Sequence, residues 1–130
     1  MGLTPPVIQR WVDVVENHSG QGLGELLAED AVFHPPARFA PQEGRDKAAA
    51  CLSAAGKLFG GNDFRYVGQW YAERSAVLEF TVSLDGIHIN GIDMIEWNDA
   101  GQITSVKVML RPVKALQAVM PKMAELLQSR

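Results

Sequence analysis

Position 93 holds a carboxylate where the pattern of a strand asks for an apolar side chain. Over residues 87–97 the odd positions are Ile87, Ile89, Gly91, Asp93, Ile95 and Trp97, and the even ones are His88, Asn90, Ile92, Met94 and Glu96. Side chains alternate between the two faces of a strand, so Asp93 shares the inward face with the isoleucines. An unpaired carboxylate buried there costs several kcal/mol, so it must be paired, hydrogen-bonded, protonated or turned to a wet cavity. In an apolar site its pKa rises. It then becomes a neutral donor or a weak base suited to a carbonyl or hydroxyl on a ligand. Trp11, Tyr66, Trp70 and Phe80 are expected to be the inward aromatics that line such a pocket with it.

These residues need elements to position them. Thr4 is placed to cap a first helix with Pro5 in its first turn, and Val7, Ile8, Trp11, Val12, Val14 and Val15 form its apolar side. Glycines at 20, 22 and 24 end it. A short second helix is predicted over Glu25 to Glu29, then a strand over Ala31 to His34, then an irregular connection through Pro35, Pro36 and Pro41. Helical spacing returns from Arg45 to Phe59 and stops at Gly60-Gly61. Beyond it the period becomes two. Strands are expected over Phe64 to Ala72, Ala76 to Leu84, Ile87 to Trp97 and Ile103 to Leu110, with turns at Asp85-Gly86 and Asn98 to Gly101. A closing helix from Val113 is expected to be interrupted by Pro121. Helices first and antiparallel hairpins afterwards make an α+β order, with one curved sheet wrapped over the helices.

The chain has 130 residues, 47% of them hydrophobic and 21% charged, with a net charge of −3. That length suits one domain with a real core. The 12 basic residues are scattered, which argues against nucleic acid. No stretch has the length of a membrane span and the start lacks a signal-peptide pattern, so a cytoplasmic location is expected. Cys51 is the only cysteine and falls in a helical segment, where a buried thiol is expected. The three histidines are dispersed and no glycine-rich phosphate motif is present, so no metal or cofactor is expected.

Asp30-Ala31-Val32-Phe33, Gly44-Arg45, Phe80-Thr81-Val82-Ser83 and Gly91-Ile92-Asp93-Met94-Ile95 followed by Gly101-Gln102-Ile103 resemble the NTF2-like, or SnoaL-like, superfamily in order and spacing. The resemblance implies a cone-shaped fold with a strongly curved, mostly antiparallel sheet, N-terminal helices and a C-terminal helix. Among its ketosteroid isomerases, a tyrosine and a neutral aspartic acid form an oxyanion hole while a second aspartate moves the proton. Matched segment by segment, Trp11 stands where that tyrosine would be, Asp93 falls on the neutral acid and Pro35 falls on the base. One of three functional groups is retained. The acid that SnoaL-type cyclases place on the last long strand has no counterpart in Val106 to Leu110. His34 is the histidine beside a matched catalytic position, and its imidazole is a candidate base at neutral pH.

Two functions are expected from these features. One is a pocket for a small apolar molecule with a carbonyl or hydroxyl, serving cofactor-independent isomerase, lyase or hydrolase chemistry. The other is a noncatalytic module whose sheet binds itself or another protein. In either case a homodimer is expected through the outer sheet face, where Lys107 and Arg111 can pair with Glu79 or Glu96 among Ile92, Met94 and Met109.

Overall fold

The structure, a computed structural model, describes residues 4–17, 22–60 and 63–128. His18, Gly20 and Gly61 lie outside the described residues. Helix α1 (Pro6–Asn17) is followed by α2 (Leu23–Leu26), β1 (Leu27–His34), β2 (Gln42–Glu43) and α3 (Arg45–Phe59). Strands β3 (Arg65–Tyr71), β4 (Ser75–Leu84), β5 (Ile87–Trp97) and β6 (Ile103–Arg111) come next, and α4 (Val113–Gln128) closes the chain. They form one six-stranded mixed sheet in the order β2-β1-β6-β5-β4-β3. Only the β1–β6 pair is parallel.

The long hairpins follow from their turns. Asp85 and Gly86 both adopt positive φ, 52° and 79°, the conformation whose twist matches the strands of a two-residue hairpin. Between β5 and β6, Asn98 Oδ1 accepts from the backbone N–H groups of Ala100 and Gln102, each at 3.0 Å. β4 alternates without a break, burying Ala76, Leu78, Phe80, Val82 and Leu84. Register shifts interrupt β1 against β6, β3 against β4 and β5 against β6, and such irregularities bend strands and raise their twist. The resulting sheet is curved and open, and the helices cover its inner face.

Two buried clusters meet there. Ile8, Trp11, Leu26, Leu27, Phe33, Cys51, Leu78, Ile95 and Val106 belong to the first. Phe80, Val82 and Ile89 pack with Leu58, Ala115 and Val119 of the helices in the second. Tyr66 and Val108 border both.

Several elements differ from the sequence expectation, and the first strand begins at Leu27 instead of the expected Ala31. α1 begins at Pro6 and the Pro5 carbonyl accepts from Gln9 N–H, while the Thr4 hydroxyl meets the Tyr71 hydroxyl instead of capping the helix. The second helix is shorter and earlier, because Leu27 is already extended and paired with Ile103. β2 forms within the proline-rich connection by pairing with Val32 and Phe33. Finally, α4 runs through Pro121 without a break. Pro121 and Gln117, whose carbonyl loses its donor, are both exposed, so water can replace the missing bond.

Candidate functional site

Asp93 pairs in register with Leu78 on one side and Val108 on the other. With two aliphatic neighbours on the same face, its carboxyl loses most of its water, and the residue is only 7% exposed. Burial pushes its pKa from 3.8 to about 7, even though a hydrogen bond from Tyr66 favours the charged form.

That hydrogen bond belongs to a chain of three side chains from three elements. The Trp11 indole N–H on α1 donates to the Tyr66 hydroxyl at 2.9 Å, and the Tyr66 O–H on β3 donates to Asp93 Oδ2 at 2.7 Å. An indole nitrogen can only donate, so Tyr66 must accept from Trp11 and spend its own proton on Asp93. The direction of the chain is therefore fixed. Burial first, then the adjacent Asp93 charge, holds the Tyr66 pKa well above the usual tyrosine value, so the phenol keeps its proton. Among the described residues, Asp93 Oδ1 has no hydrogen-bond partner, yet no fully buried side-chain oxygen or nitrogen there is unpaired. Oδ1 thus opens onto a cavity. When the carboxyl is neutral, its proton belongs on Oδ1 and points at whatever the cavity holds.

The cavity measures about 130 Å³ and lies between the helices and the sheet. Phe33, Phe59, Phe64 and Phe80 supply much of its wall, with Val108 beneath and Leu52 of α3 above. Phe64 packs edge-on to Tyr66 at 5.2 Å between centroids and against Phe80 at 5.0 Å. Among the described residues, Asp93 is the sole carboxylate in the lining. Among the described residues, no three His, Cys, Asp or Glu side chains cluster in a way that would hold a metal.

Trp11, Tyr66, Phe80 and Asp93, taken from sequence as pocket residues, come together here. Trp70 does not. It is 58% exposed on the outer face and pairs with Val77, whereas Tyr66 pairs with inward Phe80. The register shift between Tyr66 and Gly68 inserts one residue and reverses the parity of everything after it. His34 is also elsewhere. It lies half-buried beside Lys107 on the face opposite Phe33, and the structure does not bring it to Asp93. Sequence reasoning missed the α3 wall of Leu52, Ser53, Gly56, Lys57 and Phe59. The spacing of Leu52 and Phe59 signals a buried face, but nothing local says that this face meets open space instead of another side chain.

A family model for the SnoaL-like domain matches residues 8–106, which carry the whole Trp11–Tyr66–Asp93 chain and most of the cavity wall. The chain belongs to the SnoaL-like family. A crystal structure described as a steroid delta-isomerase from Pseudomonas aeruginosa superimposes on this SnoaL-like chain with a TM-score of 0.90 at 34% identity, covering 95% of this chain and 90% of that one. An uncharacterised protein with a cystatin-like fold from Silicibacter pomeroyi DSS-3 gives 0.86 at 32% identity, covering 92% and 84%. A putative SnoaL-like polyketide cyclase from Jannaschia sp. CCS1 shares the fold, with a TM-score of 0.70 at 10% identity over 92% and 97% of the two chains. No protein in the curated comparison matches. Among the described residues, no helix is long and apolar enough to cross a membrane.

Proposed function

We propose that this SnoaL-like protein is a cofactor-independent enzyme of the isomerase or lyase kind, which takes a small apolar molecule bearing a carbonyl or hydroxyl and exchanges a proton with it through Asp93. The observation that carries this reading is the fixed Trp11–Tyr66–Asp93 chain ending in an open Oδ1 on an apolar cavity. With a pKa of about 7, both forms of the carboxyl are populated at neutral pH, which is the condition for efficient general acid–base catalysis. As a carboxylate, Oδ1 removes a proton from the carbon beside the carbonyl. The neutral acid then returns it to a different carbon, shifting a double bond, or gives it to a departing hydroxyl, releasing water. Both sequences conserve protons without a second residue, in keeping with Asp93 being the only carboxylate among the described residues of the lining. Tyr66 moderates the carboxylate's charge throughout.

The volume narrows the substrate. An engineered apolar cavity of roughly 150 Å³ takes benzene, so this one encloses about one ring and leaves the rest of a larger molecule at the mouth. The named activity of the Pseudomonas aeruginosa relative supports proton-transfer chemistry, while the enclosed volume favours a smaller substrate than a four-ring steroid. A thermal-shift screen of monocyclic enones and hydroxyketones, followed by solvent deuterium incorporation into each ligand found, tests the proposal. Incorporation is expected to fall about 100-fold or more in Asp93→Asn. Exchange that proceeds equally well in that variant would remove Asp93 from the chemistry.

We also propose a homodimer through the outer sheet face. Cross-strand rows place Trp70, Val77, Met94 and Lys107 side by side, with Ile92 and Met109 in the adjoining row. Trp70 and Met109 are 58% and 48% exposed. Arg111 does not ion-pair with Glu79 here. Its Nε donates to Asn90, whose Nδ2 donates to Glu79, leaving a hydrogen-bonded polar strip beside the apolar rows. Sedimentation is expected to show a dimer that Met94→Lys with Met109→Lys converts to folded monomers. A wild-type monomer at micromolar concentration would refute the assignment.

A further inference from the structure

Lys57 stands on the α3 wall of the cavity, exposed, while Asp93 is enclosed. The helix offers it no carboxylate one turn earlier, since Ser53 and Ala54 occupy the positions three and four residues before it. No ion pair involves Lys57 among the described residues. The lip around it is bare. Gly56 and Gly60 carry no side chain, and a Cβ built on Gly56 would meet nothing within 4 Å. Ser53 adds a hydroxyl on the same wall. A lysine at the rim of an otherwise apolar cavity can lay its methylenes along the ligand and present its ammonium outside.

We infer that the ligand of this cavity is an anionic amphiphile, an unsaturated ring held among Phe59, Phe64 and Phe80 with its hydroxyl or carbonyl at Asp93 and a carboxylate at the mouth paired with Lys57. This inference rests on the proposed pocket and adds a charge requirement to it. Two polar ends of different character explain why the only side-chain charges among the described lining residues are a buried acid and an exposed base. They also orient the molecule: a carboxylate driven inward would face the Asp93 charge, whereas a hydroxyl or carbonyl there accepts or donates one hydrogen bond. The aromatic wall favours a flat ring, which stacks or meets ring edges at the spacings already present between Phe64, Tyr66 and Phe80.

Titration calorimetry with para-hydroxyphenylpropionate and its methyl ester tests the inference, since the two probes share the ring and the phenolic hydroxyl and differ in the tail charge. The acid is expected to bind about five-fold more tightly than the ester at low salt, an exposed ion pair's contribution, and to lose that advantage near 1 M salt. Lys57→Gln is expected to erase the preference and Lys57→Glu to reverse it. Lys57 is exposed, so neither change threatens folding, and matching unfolding midpoints check this. Equal binding of acid and ester to the unaltered protein, with Asp93→Asn weakening both, overturns the charge requirement and leaves the pocket proposal standing. Failure of both probes to bind at millimolar concentration overturns the two together.

Discussion

Asp93→Asn is expected to gain stability relative to the unaltered protein as pH rises from 4 to 8, by an amount on the order of 4 kcal/mol at the top of the range. Folding raises this carboxyl from 3.8 to about 7, chiefly through burial. Between those values the folded protein keeps a proton that the unfolded chain has released. The group's contribution is therefore fully present below 3.8, declines as pH rises through the window, and is lost above about 7. Asparagine fills the same space, accepts the Tyr66 hydrogen bond through its carbonyl and never ionises. Urea midpoints of the two proteins across the range give the difference, and other titrating groups cancel in it. Parallel profiles would show that Asp93 titrates normally and would remove its fitness as an acid–base group at neutral pH. Tyr66→Phe supplies a second arm. Deleting the phenol removes the one bond that favours the carboxylate, so carboxyl NMR should place the Asp93 pKa above its value in the unaltered protein.

Gly91→Ala is expected to destabilise the fold by about 1–3 kcal/mol or more, as overpacking of a filled interior does. A Cβ at this buried position would stand 2.6 Å from Phe80 Cζ, 2.6 Å from Leu110 Cδ2 and 2.7 Å from the Met109 carbonyl oxygen. The two side chains can yield, but the carbonyl belongs to the β5–β6 ladder and cannot. Phe80 would have to give way, and because it lines the cavity its displacement should also weaken any ligand's affinity. Combining Gly91→Ala with Phe80→Leu shortens the ring that collides, so the pair should cost less than the sum of the two single changes. An unaltered urea midpoint for Gly91→Ala would mean that the sheet relaxes there more than its packing implies.

Much of the site's frame is local and was legible in order along the chain. β5 is an unbroken alternation over the residues that matter, so the inward turn of Asp93 follows from counting, and its raised pKa follows from the isoleucines that share its face. The Arg45–Phe59 helix and the Asp85-Gly86 hairpin come from short-range signals that tertiary contacts reinforce. Trp70 shows where counting fails. The extra residue in β3 falls beside Gly68, a lone glycine that is the one local sign of a bulge, and it sends an aromatic expected in the pocket to the opposite face. Pro121 shows the reverse case, a local breaker overruled because the Gln117 carbonyl that it leaves without a donor is exposed to water and α4 is held by packing at Ala115 and Val119.

The sequence by itself determined the family's cone of helices and curved sheet, the inward carboxylate and the absence of a tyrosine at position 11. Only the tertiary structure decided that Tyr66, 55 residues from Trp11 and 27 from Asp93, links the two through contacts of 2.9 and 2.7 Å. It also decided that Lys57 stands over the same cavity. Alternation and helical spacing say which way a side chain points relative to its own element. Which side chains then meet depends on sheet register, bulges and the angle at which a helix crosses the sheet, and these are set by packing among residues far apart in the chain.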